Sequence, residues 1–446
     1  MSNKTAFMIA APTSGSGKTT IARGLMQWFT QNGYRVQPFK CGPDYIDTKF
    51  HTAVCGHPSV NLDTFMTTPA HVRALFAHYG TDADICIVEG MMGLYDGYDR
   101  ELGSSYDIAR VLDIPVILVV DAKSAAYSMA ALLSGFIHFR GDVRIAGIIF
   151  NKVGSRRHFN MLREVCDELH VKCLGYLPKS PDLEQNSRYL GLDFSQLPES
   201  DQLTALLEEN IDLPSLKSLT TTLHDEVEAQ TRNCEFRHLE TKTLVARNHE
   251  SFSFIYQETL DQFGDVIFFD PEKDVPTFDG IDLLYLPGGY PELYAERLSG
   301  NSSMRQSIAA AVRSGLPTVA ACGGFLFLGQ SLEDTEGRTH PMCGVLPGRG
   351  FKTGRLQRFG YQTVSVPSDN LLFRKGEHIP AHEFHYWDCT ENGADLRSEK
   401  ADGRSWACGF ASKSLYAAFP HLHFGGAVPL AERFVKACEQ WRASMT

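Results

Sequence analysis

Residues 5–25 read TAFMIAAPTSGSGKTTIARGL, an apolar run that stops at a loop of small residues and restarts as an amphipathic segment. The apolar part suits a buried strand and the part after Lys18 a helix, with Gly15 and Gly17 permitting the tight turn between them. Backbone N–H groups folded inward at such a turn, backed by a helix N-terminus, attract phosphate oxygens. Gly15, Gly17, Lys18, Thr19 and Thr20 therefore form a candidate nucleotide site, in which Lys18 reaches the β- and γ-phosphates of ATP and the Thr19 hydroxyl ligates Mg²⁺. The strict pattern has glycine where this chain has Pro12, so the loop is a variant. A chance Gly-Lys-Thr is the plain alternative, and the strand before and helix after weigh against it.

Outward from this loop, VQPFK, DICIVEG, PVILVVDA and RIAGIIFNK are short apolar runs separated by longer mixed stretches. That alternation predicts an α/β domain with a parallel sheet covered by helices. Such sheets bind ligands at the C-terminal ends of their strands. Three carboxylates fall there: Asp44 and Asp47 in FKCGPDYIDTKFH, and Glu89 closing DICIVEG. Hard oxygen ligands of this kind suit Mg²⁺, which commonly takes one or two carboxylates plus phosphate oxygens. Glu89 is the better metal candidate, because Asp44 and Asp47 beside Gly42-Pro43 also fit a solvated turn. Asn151, after a further strand, offers an amide to a purine edge, with a loop-capping role as the alternative.

The pattern fails from about Leu207 to Thr241, where polar residues run without a strand signal. The expected organisation is a domain over 1–206, a connector over 207–241 and a second domain over 242–446. TKTLVARN, DVIFFD, DLLYLPGG and PTVAACGG restart an α/β pattern, which ends at SLYAAFPHLHF. In this half Cys322 sits between an apolar run and Gly323-Gly324, at a predicted strand-to-helix turn whose first N–H groups favour a thiolate. A buried structural cysteine is the alternative. Gly288-Gly289 offers freed N–H groups for an oxyanion hole. His421, with His423 two residues on, provides the imidazole that a cysteine nucleophile needs. Reading His-x-His as a metal pair lacks a third ligand in sequence, and HEFH at 382–385 is one residue short of the zinc-protease spacing.

The 446 residues exceed one typical core, and a 43% hydrophobic fraction is that of a globular protein. Eleven cysteines without a C-x-x-C pair point to free thiols in a reducing compartment, so the cytoplasm is expected. No run approaches the length of a membrane span, and the short N-terminal apolar segment leads into the loop rather than a cleavage site. A net charge of −11 without basic clusters disfavours nucleic acid as a partner.

In order along the chain, TSGSGKTT, KCGPDYIDTKFH, VEGMMGLYDG, LPGGYPE, ACGGFLFLG, HEFHYW and HLHF resemble the motifs of the cobyrinic acid a,c-diamide synthase family, amidotransferases of the cobalamin pathway. The resemblance runs from the first strand nearly to the C-terminus. It implies an N-terminal P-loop NTPase domain with a sheet of dethiobiotin-synthetase type and a C-terminal class I glutamine amidotransferase domain. It also implies that Cys322 releases ammonia from L-glutamine with help from His421, and that ATP and Mg²⁺ activate a corrinoid acetate carboxylate as an acyl phosphate. Asp44, Asp47 and Gly289 are then expected at substrate, and Thr19, Asp47 and Glu89 at the metal. Two positions depart from the family: Ala321 stands where many relatives carry Glu, and Phe419-Pro420 precedes His421 where Tyr-aliphatic is usual, which leaves His423 as an alternative. A nickel-sirohydrochlorin a,c-diamide synthase is the rival within the same chemistry. A P-loop regulatory ATPase with an inactive C-terminal half is the rival outside it. A homodimer is left open.

Overall fold

The computed structural model describes residues 2–180, 200–223, 241–248, 251–426 and 428–445. The chain divides into two compact units, Met1–Glu235 and Phe236–Thr446. Both are α/β. Among the described residues no helix is long and apolar enough to cross a membrane.

In the first unit the apolar runs form strands β1 (Ser2–Ala10), β2 (Val36–Cys41), β4 (Ile85–Glu89), β5 (Val116–Asp121) and β6 (Ile145–Val153), and two strands not read from the sequence, β3 (Val60–Leu62) and β7 (Cys173–Pro178), join them. They make a parallel sheet in the order β3-β2-β4-β1-β5-β6-β7. Helix α1 (Lys18–Gln31) leaves β1 through the glycine loop, and α2 (Asp47–Cys55) follows β2. The register sets Glu89 beside Ile9 on one side and Lys40 on the other, so three adjacent strands end together at the loop.

The expected connector is corrected over its first part. Helices Ser200–Asn210 and Leu213–Lys217 pack on the sheet, burying Leu207, Ile211, Leu213 and Leu216 in the core of α1 and β1. A Cβ at Gly24 would lie 2.6 Å from Leu207 Cδ1, so α1 meets the first of these helices closely. Strand β8 (Thr220–Leu223) then pairs antiparallel with the start of β1. The polar residues that hid this segment lie on its outward side, and four well-spaced apolar residues suffice to dock it. Residues 224–240 of the connector lie outside the described residues.

The second unit holds two sheets. The expected strands are β9 (Lys242–Ala246), β10 (Asp265–Phe269), β11 (Leu283–Leu286) and β12 (Thr318–Ala321), which run parallel in the order β10-β9-β11-β12. The sequence reading missed a mainly antiparallel sheet that follows: β13 (Ser331–Glu333), β14 (Thr339–Pro341), β15 (Arg349–Ser365), β16 (His378–Cys389), β17 (Leu396–Glu399) and β18 (Ser405–Cys408), with β13 parallel to β15. Its spine is the β15–β16 hairpin, in which the largely half-exposed β15 carries no clean alternation. The chain then returns through β19 (Phe410–Ala411) and β20 (Leu415–Ala418), which extend the parallel sheet beyond β12. From there it crosses to β21 (His421–Leu422), which pairs with β16. The expected single run SLYAAFPHLHF is thus two strands in two sheets, broken at Phe419-Pro420.

Candidate active sites of the two units

In the first unit the phosphate loop is set by two left-handed glycines, Gly15 at φ 78° and Gly17 at φ 97°. Gly17 also allows close approach, since a Cβ there would fall 2.0 Å from Asn151 Nδ2. Of the two roles weighed for Asn151, its contacts support the loop-capping one. Its Nδ2 donates to Ser16 C=O at 3.0 Å, and its Oδ1 accepts from the Lys152 N–H at 2.9 Å. The tight turn leaves a buried carbonyl that needs a donor, and Asn151 supplies it.

The Lys18 ammonium donates to Met92 C=O. Thr19 donates to Glu89 Oε1 at 2.6 Å and lies 3.4 Å from Asp47 Oδ2, while Thr20 is half-buried in the first turn of α1. Two residues that the sequence reading did not single out complete this cluster. Lys40, 2% exposed, places Nζ 2.8 Å from Asp47 Oδ2 and 3.0 Å from Glu89 Oε1. His51 meets Glu89 Oε2 at 2.6 Å through Nε2, and its Nδ1 is 3.2 Å from Ser59 Oγ. Both lie in the quoted motif FKCGPDYIDTKFH, but only strand register brings them to Glu89. Burial alone would raise the Glu89 carboxyl; Lys40, then His51 and Thr19, outweigh it and hold it well below the ordinary carboxylate range. Asp44 Oδ1 accepts the N–H groups of Ile46 and Asp47 at 2.9 and 3.0 Å, the turn role weighed above, with Oδ2 3.9 Å from Lys40.

The donor set fits Mg²⁺ in its usual phosphate-bound form. Thr19, Asp47 and Glu89 are hard oxygen donors on one cluster. Among the described residues no group of three His, Cys, Asp or Glu side chains could hold a metal by itself. Nucleotide oxygens would have to complete the shell.

In the second unit Cys322 follows β12 with φ 50° and ψ −104°, a conformation that a non-glycine residue adopts only under strain, about 1–3 kcal/mol. The turn is held by Cys322 N–H donating to Ala418 C=O at 2.8 Å. Gly324 is required beside it, since a Cβ there would lie 2.0 Å from Leu286 C=O. The thiol points toward Phe384 C=O of β16 at 3.7 Å.

Gly288 locates the partner. A Cβ at Gly288 would fall 2.3 Å from His421 Cε1, 3.2 Å from His421 Nε2 and 3.3 Å from Cys322 Cβ. Cys322, through its Cβ, and the His421 imidazole therefore border the same space that this glycine leaves open. His423 is turned elsewhere: Nε2 is 3.5 Å from Glu258 Oε2, and Nδ1 accepts from Gly425 N–H at 3.2 Å.

The expected resting thiolate is not what this setting favours. Burial pushes the Cys322 thiol up, and Glu292 and Glu383 push further, against the N–H groups of Gly323 and Gly289. Burial lowers His421 to about 3, so its imidazole is neutral. A six-residue helix, Gly323–Leu328, cannot offset a fully buried site. Glu292, unrecognised in the sequence, is raised by burial to about 8. The pair thus rests as thiol and imidazole, and charge appears only when a proton moves from Sγ to the ring.

Residues 7–190 match the family model described as the CobQ/CobB/MinD/ParA nucleotide binding domain, and residues 247–428 the CobB/CobQ-like glutamine amidotransferase domain. The chain is 40% identical to the cobyrinate a,c-diamide synthase of Caldanaerobacter subterraneus subsp. tengcongensis, with 98% of each chain covered. It is 38% identical to the enzyme of that name from Listeria innocua serovar 6a, over 94% of this chain and 96% of the relative. It is 39% identical to the hydrogenobyrinate a,c-diamide synthase of Brucella suis biovar 1, over 89% of this chain and 91% of that one.

Proposed function

The chain belongs to the cobyrinate a,c-diamide synthase family, and from that premise we propose that it converts the a and c acetate carboxylates of cobyrinic acid to amides. It is an ATP-dependent glutamine amidotransferase. In the second unit, glutamine brings its carboxamide to Cys322. Proton transfer from Sγ to His421 accompanies attack, and the N–H groups of Gly289 and Gly323 receive the developing oxyanion. His421 returns the proton to the leaving nitrogen, ammonia departs, and water hydrolyses the glutamyl thioester to glutamate.

In the first unit, Lys18 and the N–H groups of the Gly15–Gly17 loop hold the phosphates. The γ-phosphoryl group passes to a corrinoid carboxylate, giving ADP and an acyl phosphate, and ammonia displaces phosphate to leave the amide. Thr19, Asp47 and Glu89 would hold Mg²⁺, which supplies charge neutralisation on the nucleotide. Lys40 balances the same carboxylates, and Asp44 and Asp47 border the substrate. Asn151 keeps the loop in shape.

The observation that carries this reading is the convergence of Cys322 and His421 on Gly288. It supports His421 over His423 as the assisting base and weighs against an inactive C-terminal half. The names of the relatives do not favour nickel-sirohydrochlorin as substrate. The described cysteines are all free, which supports a reducing compartment and the cytoplasm.

The test is Cys322→Ser with two nitrogen sources. Glutamine-dependent amidation should fall by about 10³-fold or more while ammonium-dependent amidation persists. Equal loss with both sources in a folded variant would refute the assignment. Cobyrinic acid, hydrogenobyrinic acid and nickel-sirohydrochlorin assayed in parallel identify the tetrapyrrole.

A further inference from the structure

The motif HEFH at 382–385 and the departure Phe419-Pro420 supply no reacting group to the chemistry above, yet the fold joins them. The Phe419 ring, 4% exposed, lies flat on the His385 imidazole, with centroids 3.8 Å apart and planes 7° from parallel. On its other contacts it meets Phe325 edge-on at 5.0 Å, and the Arg358 guanidinium lies 5.5 Å from its centroid. Phe325 belongs to the helix that follows Cys322, and Phe419 is two residues before His421. One ring therefore touches the element carrying the nucleophile and the short link carrying the imidazole.

His385 is itself fixed. Its Nε2 donates to Glu383 Oε1 at 2.7 Å and its Nδ1 meets Trp387 C=O. Glu383, fully buried, also accepts from Arg358 Nε at 2.8 Å and Gln362 Nε2 at 2.7 Å. The same strand, β16, pairs His382 with His421 in register and turns Phe384 C=O toward the Cys322 thiol. A buried hydrogen-bonded network of this kind holds its members in one arrangement, because any displacement leaves a polar group unpaired. A stacked pair passes that constraint to a residue with no polar group of its own.

We propose that Phe419 is a positioning residue for glutamine hydrolysis: clamped on His385 by the Glu383 network, it sets where His421 stands relative to Cys322. The inference rests on the amidotransferase reading of Cys322 and His421. The link His421 depends on is short, and its proline limits adjustment only on one side. A small shift of the ring therefore moves the imidazole, and misplacement on the order of 1 Å can cost about 10²-fold in rate.

The test compares Phe419→Leu, which fills similar volume without a plane, with Phe419→Tyr, which keeps the plane, in the full chain with ATP and corrinoid. Phe419→Leu should lower glutamine kcat by about tenfold or more, leave its KM within about twofold and keep ammonium-dependent amidation. Phe419→Tyr should retain wild-type turnover, and His385→Ala should shift kcat in the same direction as Phe419→Leu by a smaller factor. A Phe419→Leu enzyme that keeps its glutamine kcat, or that loses ammonium-dependent amidation in step with it, overturns the proposal, as does a Phe419→Tyr enzyme as slow as Phe419→Leu. Wild-type enzyme unable to use glutamine would instead overturn the underlying reading.

Discussion

The two sites are built alike but one is charged and the other close to neutral. Each stands where a parallel strand gives way to a helix through a glycine-bearing turn, β1 into α1 in the first unit and β12 into the helix Gly323–Leu328 in the second. In the first, charges are permanent and compensated in place: Lys40 sits within 3.0 Å of both Asp47 and Glu89, and His51 closes the other side of Glu89. In the second, burial drives the reacting pair and Glu292 toward neutrality, with Cys322 and Glu292 raised and His421 lowered, while Glu383 beside them stays charged against His385 and Arg358. Phosphoryl transfer begins and ends with highly charged species, so preset countercharge is useful throughout. Amide attack begins with neutral partners and makes charge only in passing, so donors placed at the oxyanion suffice.

The largest expected effect is on the charged site. Lys18→Ala should lower amidation by about 10³-fold or more with glutamine and ammonium alike, because the acyl phosphate precedes use of either nitrogen source. Near-normal ammonium-dependent turnover in that variant would erase the contrast between the units.

Removing the internal cation sharpens it. Lys40→Ala leaves two buried carboxylates without their shared partner, a loss that typically costs about 3–5 kcal/mol of stability. Denaturation with and without millimolar Mg²⁺ and a non-hydrolysable nucleotide should show part of that loss restored. No restoration would mean that Asp47 and Glu89 do not face a metal.

A smaller effect is expected in the neutral site. Glu292 keeps its proton in the fold up to about pH 8, whereas unfolded it would lose it near 4.5. Between these values the folded state binds more protons, so this group's contribution to stability is full at low pH and falls as pH rises through the window. Glu292→Gln should remove that slope, leaving the variant little different from wild type at pH 4 and clearly more stable at pH 9. Parallel melting at the two pH values decides it.

The smallest signal is the absence of a limb. With His421 lowered to about 3, its base form persists across the usual assay range. Glutaminase kcat/KM should therefore stay level on acidification from pH 7 to pH 5, where a solvent-exposed histidine would lose its base form near 6.5. A fall through that region would mean that the imidazole is hydrated in the working enzyme.

Much of this was open to the sequence by itself. Gly15, Gly17 and Lys18 announce a phosphate loop, and Cys322 before Gly323-Gly324 announces a strand-to-helix turn, because both depend on backbone freedom within a few residues. The apolar runs marked most parallel strands for the same local reason. What the tertiary structure alone decided involves groups far apart in the chain. Register across β2, β4 and β1 brings Lys40 and His51 to Glu89, and packing against Gly24 draws residues 207–223 into the first unit. The contact between Gly17 and Asn151 gives that side chain a loop-capping role. The crossing at Phe419-Pro420 between two sheets puts His421, rather than His423, against Gly288 and Cys322. Periodicity records which face of an element is buried, but which distant side chain it is buried against depends on strand order and register, and neither leaves a mark within any one segment.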